Sequence, residues 1–122
     1  MTSQAAEPAL FRRDLPHDCR DALFGGSGKV RVWALLGSPQ LPFTAVLACE
    51  LEPRASVGAH VQEHFPELVI ALSGAGTVAV NGVARPFAAG STVELALGHT
   101  LAFANTSHEL PLRYLIIKAA MA

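Results

Sequence analysis

From Lys29 onward the chain reads as a succession of short runs rich in β-branched and aromatic residues, each stopped by glycine, proline or asparagine. The runs are KVRVWALLG, FTAVLACELE, SVGAHVQ, ELVIALSG, GTVAVNG, VARPFAA, STVELAL, TLAFANTS and LRYLIIKA. Short strands punctuated this regularly argue for an all-β barrel or jelly roll. Asn81-Gly82 sits between Val78, Val80 and Val83, and it is the residue pair that best tolerates the two positive φ angles of a type I′ hairpin. That turn sets a register for the strands around it. Residues 1–28, with Pro8, Pro16 and the GGSG run, are less regular and read as an N-terminal arm, with a short helical turn over Cys19 to Phe24. The barrel domain is then expected over 29–122, with the arm adding a strand to a neighbouring copy and covering a sheet edge.

The 122 residues are 51% hydrophobic and 16% charged, enough for one buried core and too few for two. A formal net charge of -1, with Arg12-Arg13 the one adjacent basic pair, leaves no electrostatic footprint for nucleic acid or an anionic membrane surface. Residues 32–49 and 68–84 carry no charge, but prolines and glycines break each below the span of about 20 apolar residues that a membrane helix needs. Cys19 and Cys49 lie far apart without a metal-type spacing and read as free thiols. The start of the chain shows no basic segment followed by an apolar core and a cleavage site, so a cytoplasmic location is expected. Gly25-Gly26-Ser27-Gly28-Lys29 lacks the spacing and hydroxyl of a phosphate loop and reads as a flexible turn. No G-x-S-x-G nucleophile elbow occurs.

Two stretches carry a resemblance. In GAHVQEHFPELVIALSG, His60 and Gln62 are two apart on a strand, Glu67 follows a short break, and Gly74 closes the next strand. In GSTVELALGHTLAFAN, Gly90, Gly98 and Asn105 recur at characteristic distances. Together they resemble the paired motifs of the cupin superfamily, and the chain is similar to small single-domain bacterial cupins over roughly Phe24 to Lys118. The resemblance implies a cupin double-stranded β-helix, or jelly-roll barrel, with a metal held inside by imidazoles and one carboxylate. Gln62 stands at the second histidine position, Ala96 at the motif proline and Leu101 at the last histidine, so two of the usual ligands are replaced.

Strand parity puts His60 and Gln62 on one face. His64, beside Pro66 in the connection that follows, belongs to the rim or reaches a metal if the chain bends inward. His99 shares parity with Leu101 and could swing in to replace the lost histidine. Two readings stay open. In one, His60, Gln62 and Glu67, completed by His99, His64 or water, hold one divalent transition metal such as Fe, Mn, Ni or Zn. In the other they form a metal-free, internally hydrogen-bonded polar cluster. Leu101 makes the cavity more apolar, and with Phe103, Trp33 and Phe43 on candidate inward strands the interior could enclose a small organic ligand; ordinary core packing is the plain alternative. Glu63, Asp14, Asp18 and Glu109 read as solvated surface charges, and His17 and His108 as exposed. The expected function is a small-molecule-binding barrel with a partly degenerate metal site that forms homodimers. In it His60, Gln62 and Glu67 hydrogen-bond a polar group of the ligand, and Leu101 and Phe103 pack on its apolar part. The alternatives are a metal-dependent dioxygenase, isomerase or decarboxylase using His60 and Glu67, and a non-catalytic dimeric module.

Overall fold

The computed structural model describes residues 10–120. After β1 (Asp18–Asp21) and a 3-10 turn over Leu23–Gly25 come β2 (Lys29–Ala34), β3 (Phe43–Leu51), β4 (Ser56–Val61), β5 (Glu67–Ser73), β6 (Ala75–Val80), β7 (Val83–Ala88), β8 (Thr92–Leu95), β9 (Thr100–Asn105) and β10 (Leu112–Ala119). Each strand run in the sequence becomes a strand. They form two antiparallel sheets, one of six strands in the order β1-β2-β3-β10-β5-β8 and one of four in the order β4-β9-β6-β7. This is the double-sheet jelly roll that the resemblance implies. Asn81 and Gly82 have φ of 51° and 79° and join β6 to β7 with Val80 opposite Val83, as the turn chemistry demands. Among the described residues no helix is long and apolar enough to cross a membrane.

Alternation decides the core. Leu112 and Tyr114 of β10, Val69 and Ala71 of β5, Cys49 and Leu51 of β3, and Leu101 and Phe103 of β9 point between the sheets and are buried. Phe87, Phe103 and Tyr114 pack together toward one end with ring centroids 4.6 to 6.1 Å apart, Phe103 stacked on Tyr114 and Phe87 edge-on to Tyr114. Asn105 closes that end: its amide group donates to Leu51 O, Glu52 O and Leu110 O, and its carbonyl accepts from Ser107 N–H. The asparagine of the second motif is thus a structural tie, holding together strands that a buried, unsatisfied amide would otherwise destabilise.

Two of the aromatics expected inside lie elsewhere. On β2, Val30 and Val32 pack inward, so Trp33 falls on the outer face by parity. It is nevertheless buried, because the segment before β1 folds over it: His17 stacks on the indole at 4.6 Å, Phe11 meets it edge-on at 5.9 Å, and Nε1–H donates to Arg12 O. His17 is accordingly half-buried instead of exposed. Phe43 begins β3 and is exposed. The same segment is fastened by Glu50, a fully buried carboxylate on the outer face that the sequence reading passed over. Its oxygens pair with Arg13 at 2.7 Å and Arg113 at 2.8 Å, and Arg113 also lies over the Phe11 ring.

The described part of the expected arm is therefore built into this barrel's own wall, with β1 paired to β2. The Gly25–Gly28 run, expected as a flexible turn, docks on β4 through Ser27 and Ser56, whose backbones exchange hydrogen bonds of 3.1 and 2.7 Å. Residues 1–9 of the arm lie outside the described residues.

Candidate functional site

Opposite the aromatic end the barrel is open. The irregularity that shapes the opening lies in β4, where Val57 pairs with Phe103 but His60 pairs with Leu101, a one-residue shift in register. The extra residue at Gly58-Ala59 is a β-bulge, and it turns His60 to the inward side where plain alternation from Val57 would have placed Ala59. Gly58 is required there: a Cβ would stand 1.9 Å from the Phe24 carbonyl oxygen. That close approach seats the Leu23–Gly25 turn on the bulge, with Ala22 and Phe24 at φ of 49° and 52°. The Phe24 ring, half-exposed, lies flat on the His60 imidazole at 4.1 Å. His60 Nδ1 is 3.2 Å from Gly58 O. A carbonyl only accepts, so in the neutral ring Nδ1 carries the hydrogen and Nε2 offers its lone pair.

Beneath this lid a cavity of about 410 Å3 runs between the sheets, walled by Val30, Val32, Leu47, Phe103 and Ile116, with His60, Glu67, Lys118 and Tyr114 among its polar members and Asp18 and Arg20 at its edge. A wider mouth of about 640 Å3, bordered by Gln62, His64 and Phe65, shares Phe24, His60 and Lys118 with it. Glu67 opens β5 directly opposite Lys118 of β10. Glu67 Oε2 is 3.3 Å from the Lys118 ammonium; the carboxylate side chain is 2% exposed, and Oε1 has no hydrogen-bond partner. Deeper in, Cys49 faces Tyr114 across the ladder and shares a hydrogen bond with it. Burial, reinforced by the nearby Glu67 charge, pushes the Cys49 thiol up to about 12, and burial raises the Tyr114 hydroxyl well above its usual value. Both are therefore neutral at ordinary pH, and Cys49 is a poor nucleophile.

The residues expected to form the site are partly brought together. His60 and Glu67 line the inner cavity, and Phe103 forms part of its wall. Gln62 is buried at the mouth with its Nε2 unpartnered, and its backbone pairs with His99 O and Gly98 N–H. His99 stands opposite Gln62, but its Nδ1 accepts from Ala96 N–H, which holds the ring at the turn instead of over the cavity. His64 is exposed on the rim. Leu101 is wholly buried across from His60 and lines neither cavity, so it fills the wall and does not face a ligand.

This arrangement does not fit a transition metal. Among the described residues no three His, Cys, Asp or Glu side chains converge. Leu101 offers no donor at the position opposite His60, and the Glu67 carboxylate is already matched by a fixed ammonium, whose charge repels a divalent ion at that oxygen.

Lys118, Phe24 and Tyr114 were missed as site residues. The signal for the first and last was present: in LRYLIIKA the alternation that buries Leu112 and Tyr114 carries Lys118 to the same face. Phe24 had none, because its position depends on a turn docked from a distant part of the chain.

Comparison with known proteins bears on the whole of this architecture. A cupin-domain family profile matches residues 47–118, more than half of the chain. Among solved structures, a predicted oxalate decarboxylase from Thermotoga maritima superposes with a TM-score of 0.80 at 24% identity, covering 88% of this chain and 95% of that one. A Cupin 2 conserved barrel domain protein from Salinispora arenicola gives 0.61 at 29% identity, covering 72% of this chain and 74% of that one. A putative sugar phosphate isomerase from Acidithiobacillus ferrooxidans gives 0.57 at 23% identity, over 63% and 50%. No curated protein sequence matches. With the family profile spanning β3 to β10 and the same barrel recurring in these structures, the chain belongs to the cupin family.

Proposed function

We propose that this cupin is a small-molecule-binding barrel that works without a metal. The observation that carries the reading is the inner cavity itself. It is lined mainly by aliphatic and aromatic side chains and holds a few convergent polar groups, His60, Glu67 and Lys118, which is the composition of an organic-ligand site. A ligand enters past Phe24 and packs against Phe103, with its polar end at Glu67. The test uses monocyclic aromatics as probes, toluene and benzamide among them, read by ligand-observed NMR and thermal shift. At least one binds the wild-type protein, and Leu47→Trp, which fills the cavity, abolishes that binding. Absence of binding in wild type, or undiminished binding in Leu47→Trp, overturns the reading.

The competing reading, a metal-dependent enzyme, rests on His60 and Glu67 alone, two residues at ligand positions of the family motif that face one cavity with, among the described residues, no third metal donor beside them. Elemental analysis of purified protein separates the two readings. Near-stoichiometric Fe, Mn, Ni or Zn that His60→Ala removes would establish the metal site, whereas metal-free protein that still binds the aromatic probes supports the first reading.

We further infer a homodimer in a reducing, cytoplasmic setting. The outer face of the six-stranded sheet presents Val46, Leu68, Ile70, Leu115 and Ile117, all aliphatic, which is a surface suited to a second copy. Cys19 and Cys49 are free thiols, as such a compartment keeps them. Light scattering that reports a dimer for wild type and a monomer for Ile70→Lys is the expected result.

A further inference from the structure

We propose that the Glu67–Lys118 pair clamps an uncharged molecule that presents a hydrogen-bond donor and an acceptor side by side on the same or adjacent carbons, as in a primary amide, a lactam or an α-hydroxy ketone. The proposal deepens the small-molecule reading above and rests on it.

The first argument is hydrogen-bond accounting. Glu67 Oε1 is buried and without a partner, and a carboxylate can only accept, so whatever completes it must donate. Leaving such an oxygen unpaired is costly, and a site occupied by a donor relieves that cost. Lys118 can only donate. It spends one N–H toward Glu67 Oε2 and, with its side chain one-third exposed along the same cavity, has further N–H groups to offer an acceptor. The two groups face each other across adjacent strands, so the donor and acceptor of the ligand must lie close together.

The second argument is charge. Glu67 and Lys118 cancel, and so do Asp18 and Arg20 at the cavity's edge. A carboxylate ligand reaching for Lys118 would bring a second anion beside Glu67, and an ammonium reaching for Glu67 would crowd Lys118. In a cavity walled by hydrocarbon such like-charge contacts are weakly screened. A neutral donor-acceptor group meets both ends without that penalty. Its apolar body then lies between the aliphatic walls and Phe103, under the stacked Phe24 and His60 rings.

The experiment compares ligands that share a benzene ring and differ in the polar group: benzamide, phenacyl alcohol, benzoate, benzylamine and toluene, titrated calorimetrically against wild-type protein at neutral pH. Benzamide and phenacyl alcohol are expected to bind about tenfold or more tightly than the other three, the size of one hydrogen bond to a charged group. In the Glu67→Gln/Lys118→Met double variant that preference should disappear while toluene affinity is retained, which also reports an intact barrel. Benzoate or benzylamine binding as tightly as benzamide overturns the clamp, and so does toluene doing so, while each leaves the barrel reading standing. If no member of the series binds, both fall. The wild-type series decides the matter even if the double variant does not fold.

Discussion

The two ends of this barrel are built on opposite principles. At the closed end Phe87, Phe103 and Tyr114 interlock, and the one buried amide, Asn105, has both its donors and its acceptor engaged. At the open end the buried groups Thr44 Oγ1, Gln62 Nε2 and Glu67 Oε1 have no partner, and the half-exposed Phe24 ring above them rests on His60 from a turn docked on a bulge. Proteins satisfy most buried polar groups; of the four buried orphans among the described residues, these three border the open end and the fourth, Arg31 Nε, lies on β2 away from both cavities. The closed end provides the stability that lets the open end stay incomplete.

That contrast can be broken by mutation. The largest effect is expected from Phe87→Ala, which removes a fully buried ring from the closed end and should cost about 3–5 kcal/mol in urea unfolding. A loss below about 1 kcal/mol would mean that the aromatic end is loosely packed. Next comes Lys118→Met, which strands the Glu67 carboxylate in the barrel. Because Lys118 is one-third exposed, the penalty should be about 2 kcal/mol and not the larger figure of a fully buried pair. Adding Glu67→Gln should recover most of it, since the pair is then replaced by neutral groups; an unchanged penalty would show that Lys118 acts through packing alone.

Another effect is negligible near neutral pH and emerges only in alkali. The Cys49 thiol ionises near 9.0 when unfolded and is raised to about 12 in the barrel, so the unfolded chain gives up its proton first. Stability from this group is fully present below pH 9 and falls as pH rises from 9 to 12, and Tyr114, raised in the same way, extends the decline. Cys49→Ala should flatten the first part of that slope, and an unaltered slope would assign it elsewhere. The smallest change in stability belongs to Phe24→Ala, since the ring is half-exposed and contributes one stacking contact of about 0.5–1 kcal/mol. Its effect should appear in probe binding instead, as faster release; a loss of stability comparable to that of Phe87→Ala would make the turn part of the core.

Much of the fold was legible because it rests on local, periodic information. Nine strand runs, the Asn81-Gly82 hairpin and the inward parity of Phe103 follow from alternation and turn chemistry, each of which acts within a few residues. The same alternation, read along β10, exposes Lys118 as a lone cation on a buried face, a signal available in the sequence but hidden by attention to histidines. Trp33 and Phe43 were misjudged for a different reason. A strand's sequence gives two faces without saying which is inward, and the segment over residues 11–17 buries Trp33 on the outer one.

By itself, then, the sequence determined the all-β architecture, the register-setting turn and the family of the barrel, because strand periodicity and glycine spacing are properties of the chain read in order. Only the tertiary structure decided which groups the interior presents. The bulge at Gly58-Ala59 turns His60 inward, the turn at Leu23–Gly25 lays Phe24 over it, and the ladder between β5 and β10 sets Lys118 against Glu67. Each of these joins residues far apart in the chain, and the charge, shape and unpaired hydrogen-bonding groups of a cavity arise from such meetings and not from any residue alone.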